Sequence, residues 1–353
     1  MVGRFKAGSA RLLDQAMAKA IRFQVSRGGN IPTWEDGLAR IAAVEAAYPT
    51  ATLDDATFFA PPPPVTLRER SAPSLAGARS SDWSWTSEFE PWAPEVRPRY
   101  LSREANRTGW ARFHDAGEGK PVLILQHGFL GGYWPIEERK FHVAAWIRRG
   151  FSVLLPLLPF HGLRTASSLR NPPPFPGHDL LLTVEGFRQV VYDFRTMRAE
   201  LLRRGASAVV GMGMSLGAYS LALWSTLDPL DHLALFTPAS SLAEIARDHG
   251  QLGAGDVGTR LAPRLETALA MVSPLSRRPK LAGDRVMVVG GAEDRITPEL
   301  HAARFARHFE AELLRIPGGH LLQFGRAQAF GVLHRRLLAQ GIVGPSALSP
   351  EDA

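Results

Sequence analysis

The chain has 353 residues, enough for one large domain or two modest ones, and its 45% hydrophobic and 21% charged residues exclude disordered and fibrous classes. It contains no cysteine, which removes disulfide frameworks, thiolate nucleophiles and cysteine-based metal sites and suits a reducing, cytoplasmic setting. The net charge of +7 attracts polyanions in general, but the arginines are scattered and no nucleic-acid-binding signature accompanies them, so no nucleic-acid partner is expected.

Taken in chain order, residues 1–80 read as a helical N-terminal extension closed by a Pro-rich linker. Leu13, Met17 and Ile21, then Leu38, Ile41 and Val44, recur at three- and four-residue steps, as an amphipathic helix requires. Residues 1–28 carry Arg4, Lys6, Arg11, Lys19, Arg22 and Arg27 against one acid, Asp14. Phe5, Leu13, Met17, Ala20 and Ile21 add apolar surface, so this stretch suits either docking by its apolar face onto the rest of the protein or contact with an anionic membrane surface. No run is long or apolar enough for a signal peptide or a membrane span, and a soluble protein is expected. Pro61 to Pro64 then forbid helix and favour an extended strap.

Residues 81–345 read as the main domain. Trp83, Trp85, Phe89, Trp92, Trp110 and Phe113 stand among turn residues, which suits short antiparallel strands with aromatic packing. From residue 120 onward, apolar runs (Pro121 to Gln126, Phe151 to Leu158, Ala208 to Met214, Leu233 to Phe236, Arg285 to Val289, Leu313 to Ile316) alternate with helical stretches near 136–149, 184–204, 216–227, 298–309 and 320–340. Continuous apolar strands between helices predict an α/β fold with a parallel sheet covered on both faces, whose active groups sit at the carboxyl ends of the strands. The mixed segment 241–280 is a candidate lid.

Gly213-Met214-Ser215-Leu216-Gly217 is a G-x-S-x-G sequence between an apolar run and a helical stretch, the setting of a nucleophile elbow. A serine hydroxyl needs an imidazole to take its proton and a carboxylate to hold that imidazole in the right tautomer. Asp294, after Val288-Val289-Gly290-Gly291, and His320, after Leu313 to Gly319, follow Ser215 in that order, each just past a predicted strand. Charge developing on a carbonyl oxygen needs N–H donors, and Leu216 and Phe129, the latter in His127-Gly128-Phe129-Leu130-Gly131-Gly132, are the candidates.

These features together resemble the α/β-hydrolase superfamily of serine esterases and lipases, and Gly211 to Gly217 (GMGMSLG) also resembles a poorly characterised branch of it. The resemblance implies a mostly parallel eight-stranded sheet and a serine esterase mechanism that needs no cofactor or metal, with a small-molecule acyl ester as substrate. Catalytic Ser215, Asp294 and His320, with Phe129 and Leu216 as oxyanion hole, would hydrolyse a carboxylic ester through an acyl-enzyme. An acyltransferase would use the same residues, and a non-catalytic binding protein could keep the same fold.

Several residues have competing readings. Glu293 rivals Asp294 as the acid. His127 suits a structural place in its loop, His161 either lines the pocket or is a satisfied loop histidine, and Met212 and Met214 suit core packing. Gly211-Met212-Gly213 begins like a dinucleotide-binding loop, but position 216 is Leu rather than Gly.

Overall fold

The computed structural model describes residues 8–19, 32–49, 54–165, 172–253 and 255–344. The chain begins with helix α1 (residues 8–19). Helix α2 (Trp34–Ala47) starts at a capping box in which the Thr33 hydroxyl accepts from the Asp36 N–H and the Asp36 carboxylate accepts from the Thr33 N–H. After the single turn α3 (Asp55–Phe58) come β1 (Arg68–Leu75), β2 (Ala78–Thr86), α4 (Arg97–Leu101) and β3 (Thr108–Asp115). The alternating part runs β4 (Val122–Gln126), α5 (Trp134–Lys140), α6 (Val143–Arg148), β5 (Ser152–Pro156), α7 (Leu180–Arg203), β6 (Val209–Met214) and α8 (Leu216–Ser225). It continues through β7 (His232–Phe236), α9 (Leu242–Asp248), α10 (Asp256–Ala268), β8 (Val286–Gly291), α11 (Glu299–His308), β9 (Glu312–Ile316) and α12 (Arg326–Ala339).

Among the described residues the strands form one sheet in the order β1-β2-β3-β5-β4-β6-β7-β8-β9. The β4 to β9 pairings are parallel, and β1 to β3 add an antiparallel edge that joins at β5. The central strands are buried along their whole length because alternate side chains enter two cores. Leu123 and Leu125 meet Trp146 and Phe330 of α6 and α12 on one face, while Val122 and Ile124 meet the core of α7 and α8 on the other. No helix among the described residues is long and apolar enough to cross a membrane.

Among the described residues the sheet has nine strands rather than the eight expected, and it begins at Arg68, inside the segment assigned to the extension. Strand β1 carries Pro73 and is almost wholly exposed, so it has no hydrophobic alternation. Backbone pairing to β2, with a register shift between Ala72 and Leu75, holds it in place, as is usual for an edge strand. The helix expected over 136–149 is broken into α5 and α6 at His142, whose φ is 53°, with no Gly or Pro to announce the break.

The extension is not a separate unit. Ile41, Val44, Tyr48, Phe58 and Phe59 belong to the same core as the sheet, and the Tyr48 hydroxyl donates to Glu185 of α7 at 2.7 Å. Helix α1 also docks on the rest of the protein, but through Ala10, Asp14 and Ala18. Leu13, expected on its buried face, is exposed; Arg4, Phe5, Lys6, Ala20, Ile21, Arg22 and Arg27 lie outside the described residues.

Candidate active site

Strand β6 ends at Met214, and Ser215 turns the chain into α8 with φ 55° and ψ −118°. A non-glycine residue in that region stores strain, which the flanking contacts hold in place. The Ser215 N–H donates to the Phe236 carbonyl at the end of β7 at 3.0 Å. Both motif glycines are required by close approach. A Cβ on Gly213 would lie 2.6 Å from the Gly217 carbonyl, and one on Gly217 would lie 2.3 Å and 2.4 Å from the carbonyl oxygens of Gln126 and His127. The turn thus projects the Ser215 side chain at the carboxyl end of the sheet.

His320 and Asp294 reach the same end from the loops after β9 and β8. Asp294 Oδ2 stands 2.9 Å from His320 Nδ1, so the carboxylate assigns the proton to Nδ1 and leaves Nε2 as the basic nitrogen. Asp294 is buried, and its Oδ1 accepts the backbone N–H groups of Ile296 and Thr297 at 2.9 and 2.7 Å. The Thr297 hydroxyl lies 3.0 Å from its Oδ2. Glu293, the rival acid, instead points toward Arg295 at 3.8 Å. Gln323 donates to the His320 carbonyl and to the Thr237 hydroxyl, each at 3.0 Å, tying the histidine loop to the end of β7.

Burial works against a charged imidazole at His320 and is the largest single influence. The field and hydrogen bond of Asp294, joined by Asp14 and opposed by Lys140, more than offset it, so the His320 pKa lies above the usual imidazole value.

The loop after β4 lies against Ser215: a Cβ on Gly128 would be 3.2 Å from the Ser215 Cβ. Leu216 is the first residue of α8, so its N–H has no intrahelical acceptor. His127 has a structural place, accepting the Leu158 N–H at Nε2 (3.1 Å) while its Nδ1 faces the Gly128 carbonyl (2.8 Å). His161 is fully buried with Nδ1 2.8 Å from the Pro159 carbonyl, and its ring packs on Phe129. Met212 and Met214 are core residues.

Two cavities meet at Ser215, and Phe129 and Ile296 border both. One, of about 320 Å³, is a groove that also takes in Met17, Tyr133, Ile136 and His320. The other, of about 150 Å³, is lined largely by apolar side chains, among them Leu180, Leu242, Ile245, Leu265 and Leu269. Segment 241–280 therefore walls the second cavity through α9 and α10. A larger cleft of about 630 Å³ beside Val122 and Ser152 lies at the amino ends of β4 and β5, opposite the end where active groups gather.

Sequence reasoning did not find Thr237, Thr297 or Gln323, whose side chains brace the histidine loop, and it counted Asp14 only as the one acid of a basic segment, with no place in the site, although it is fully buried. A small residue such as Gly319 before a candidate histidine is the local signal that another group approaches there: its Cβ would lie 2.3 Å from Asp14 Oδ2.

No family model matches the sequence. Uncharacterized proteins from two strains of Mycobacterium tuberculosis are each 30% identical over 273 residues, which cover 74% of this chain and 65% of theirs. The chain thus spans a little under two thirds of the length of these curated relatives. An acetyl xylan esterase from Paenibacillus sp. R4 superposes with a TM-score of 0.50 at 13% identity, covering 86% of this chain and 92% of that one. The chain has the α/β-hydrolase fold.

Proposed function

We propose that the protein is a serine hydrolase that cleaves carboxylic esters through an acyl-enzyme. Fold alone does not assign chemistry, so the reading rests on the site. One observation carries it: the strained Ser215 turn opens onto the same groove as His320, whose Nδ1 is held by Asp294 at 2.9 Å.

In this reading the Ser215 Oγ attacks the ester carbonyl carbon while His320 Nε2 takes its proton. The tetrahedral oxyanion is received by the N–H groups of Leu216 and Phe129. Collapse breaks the carbon–oxygen bond to the alcohol, which leaves with the proton carried by His320. Water then enters, loses a proton to His320 and attacks the acyl carbon, and the carboxylic acid departs as Ser215 regains its proton. Asp294 stays ionised and stabilises the imidazolium formed twice in the cycle. The cavity walled by α9 and α10 takes the acyl chain, and the groove beside His320, whose Nε2 protonates the leaving oxygen, takes the alcohol portion.

Labelling by a fluorophosphonate tests this directly, because such reagents trap an activated serine. Wild-type protein is expected to be labelled at Ser215 and to hydrolyse p-nitrophenyl butyrate, and Ser215→Ala to do neither. Labelling at another residue, or none, overturns the reading.

A further inference from the structure

We infer that Asp14 of the N-terminal helix is a positioning residue of the active site, clamping the loops that carry the acid and the base into one arrangement. The inference rests on the serine hydrolase reading above and adds to it a component 306 residues away in sequence from the histidine.

Asp14 is fully buried in α1. Its Oδ2 accepts the His320 N–H at 2.5 Å and the Arg295 N–H at 3.3 Å, and its Oδ1 accepts the Leu321 N–H at 3.1 Å. One carboxylate thus holds the backbone of the histidine itself, of its neighbour, and of the residue that follows Asp294. A buried carboxylate is costly unless its lone pairs are met, and three converging N–H groups meet them with charge-assisted bonds.

The fit is tight on both sides. A Cβ at Gly319 would lie 2.3 Å from Asp14 Oδ2, so the glycine before the histidine admits the carboxylate. Ala10 and Ala18, one helical step on either side, are buried and small enough to let α1 approach closely. Met17 on the same helix borders the groove that holds Ser215 and His320. The helix that carries Asp14 is therefore part of the wall of the active site.

Geometry at this level sets rate. A displacement of about 1 Å at a reacting group costs about 10²-fold, and the loop after Gly318 has no helix to hold it, since α12 begins only at Arg326. Asp14 also acts through its charge. With Asp294 it favours the protonated imidazole, against burial and against Lys140; Glu137 and Arg326 line the same groove.

The test uses the full chain with Asp14→Asn and, from the other side of the contact, Gly319→Ala, which would collide with the carboxylate. Asparagine keeps the volume but offers one accepting oxygen and an NH2 group to three N–H donors. Both variants are expected to retain the fold by circular dichroism, to lose about 10²-fold in kcat on p-nitrophenyl butyrate with KM little changed, and to bind fluorophosphonate correspondingly slowly. In Asp14→Asn the His320 titration, followed by NMR of ¹⁵N-histidine-labelled protein, is expected to move to lower pH. A folded Asp14→Asn protein with wild-type kcat and an unmoved His320 titration overturns the inference. Wild-type protein that is neither labelled nor active overturns the hydrolase reading instead, and the histidine titration then still decides whether Asp14 governs His320.

Discussion

Asp294 Oδ2 and His320 Nδ1 stand 2.9 Å apart, whereas the neighbouring Glu293 carboxylate turns toward Arg295 at 3.8 Å. The two acids are adjacent in the chain, so the turn after β8 decides which one meets the imidazole. Asp294→Asn is expected to lower kcat by about 10⁴-fold, because an amide no longer enforces the Nδ1–H tautomer. Glu293→Gln should stay within a few-fold of wild type. Parallel steady-state kinetics on the two variants check this, and a crippled Glu293→Gln with an active Asp294→Asn would reverse the assignment.

Ser215→Ala is expected to lower ester turnover by at least about 10³-fold, since without the nucleophile only the oxyanion donors and binding remain. The fold should survive, because the φ of 55° is imposed by the surrounding backbone and not by the hydroxyl. Activity on p-nitrophenyl butyrate above a tenth of wild type would be incompatible with a Ser215 nucleophile.

Gly217→Ala is expected to destabilise the protein by about 2 kcal/mol or more, as overpacking at a site with no room does. The added methyl would sit 2.3 Å and 2.4 Å from the Gln126 and His127 carbonyl oxygens, which are backbone atoms at the end of β4 and cannot rotate away. Thermal unfolding measures the loss. Unchanged melting would mean that the strand and helix do not approach each other as closely as described.

The pH dependence has two separate origins. His320 must be neutral to act as a base, and its pKa is raised, so the acid limb of kcat/KM should fall at higher pH than an ordinary imidazole would give. As a stability effect, its raised pKa favours folding below the unfolded value, and that contribution is lost as pH rises through the folded one. His127 and His161 behave oppositely. Burial pushes them down to about 4 and about 3, so the unfolded chain takes up protons first and stability falls as pH drops below about 6.5. Melting curves between pH 7 and 4 should show this loss, and His127→Asn should reduce it even if that variant is less stable at pH 7.

Ala246→Phe on α9 is expected to narrow the apolar cavity of about 150 Å³ beside Ser215. Turnover of p-nitrophenyl hexanoate should fall by about tenfold or more relative to the acetate, the scale of discrimination that a filled apolar pocket gives. Equal losses on both esters would place the acyl chain in the groove beside His320 instead.

What the sequence determined by itself is what local sterics and periodicity encode. The six apolar runs from residue 121 onward are six strands: β4 to β8 are buried on both faces and therefore apolar nearly throughout, and β9, at the sheet edge, keeps only a short apolar stretch between exposed Glu312 and Arg315. The elbow was legible for a similar reason: Gly213 and Gly217 stand where strand and helix backbones come within van der Waals range, and only glycine fits. Tertiary structure decided whatever depends on a partner far along the chain. Strand β1 has a polar, exposed sequence and exists only because β2 supplies its backbone partners, so no pattern marks it. Residues 320–325 continue the pattern of a helix, yet the N–H groups of His320 and Leu321 are taken by Asp14, and α12 starts later. Asp14 itself reads as the solitary acid on a basic helix face. A buried carboxylate bound to backbone N–H groups leaves no periodic trace, because the donors are common to every residue and only the fold brings three of them to one place.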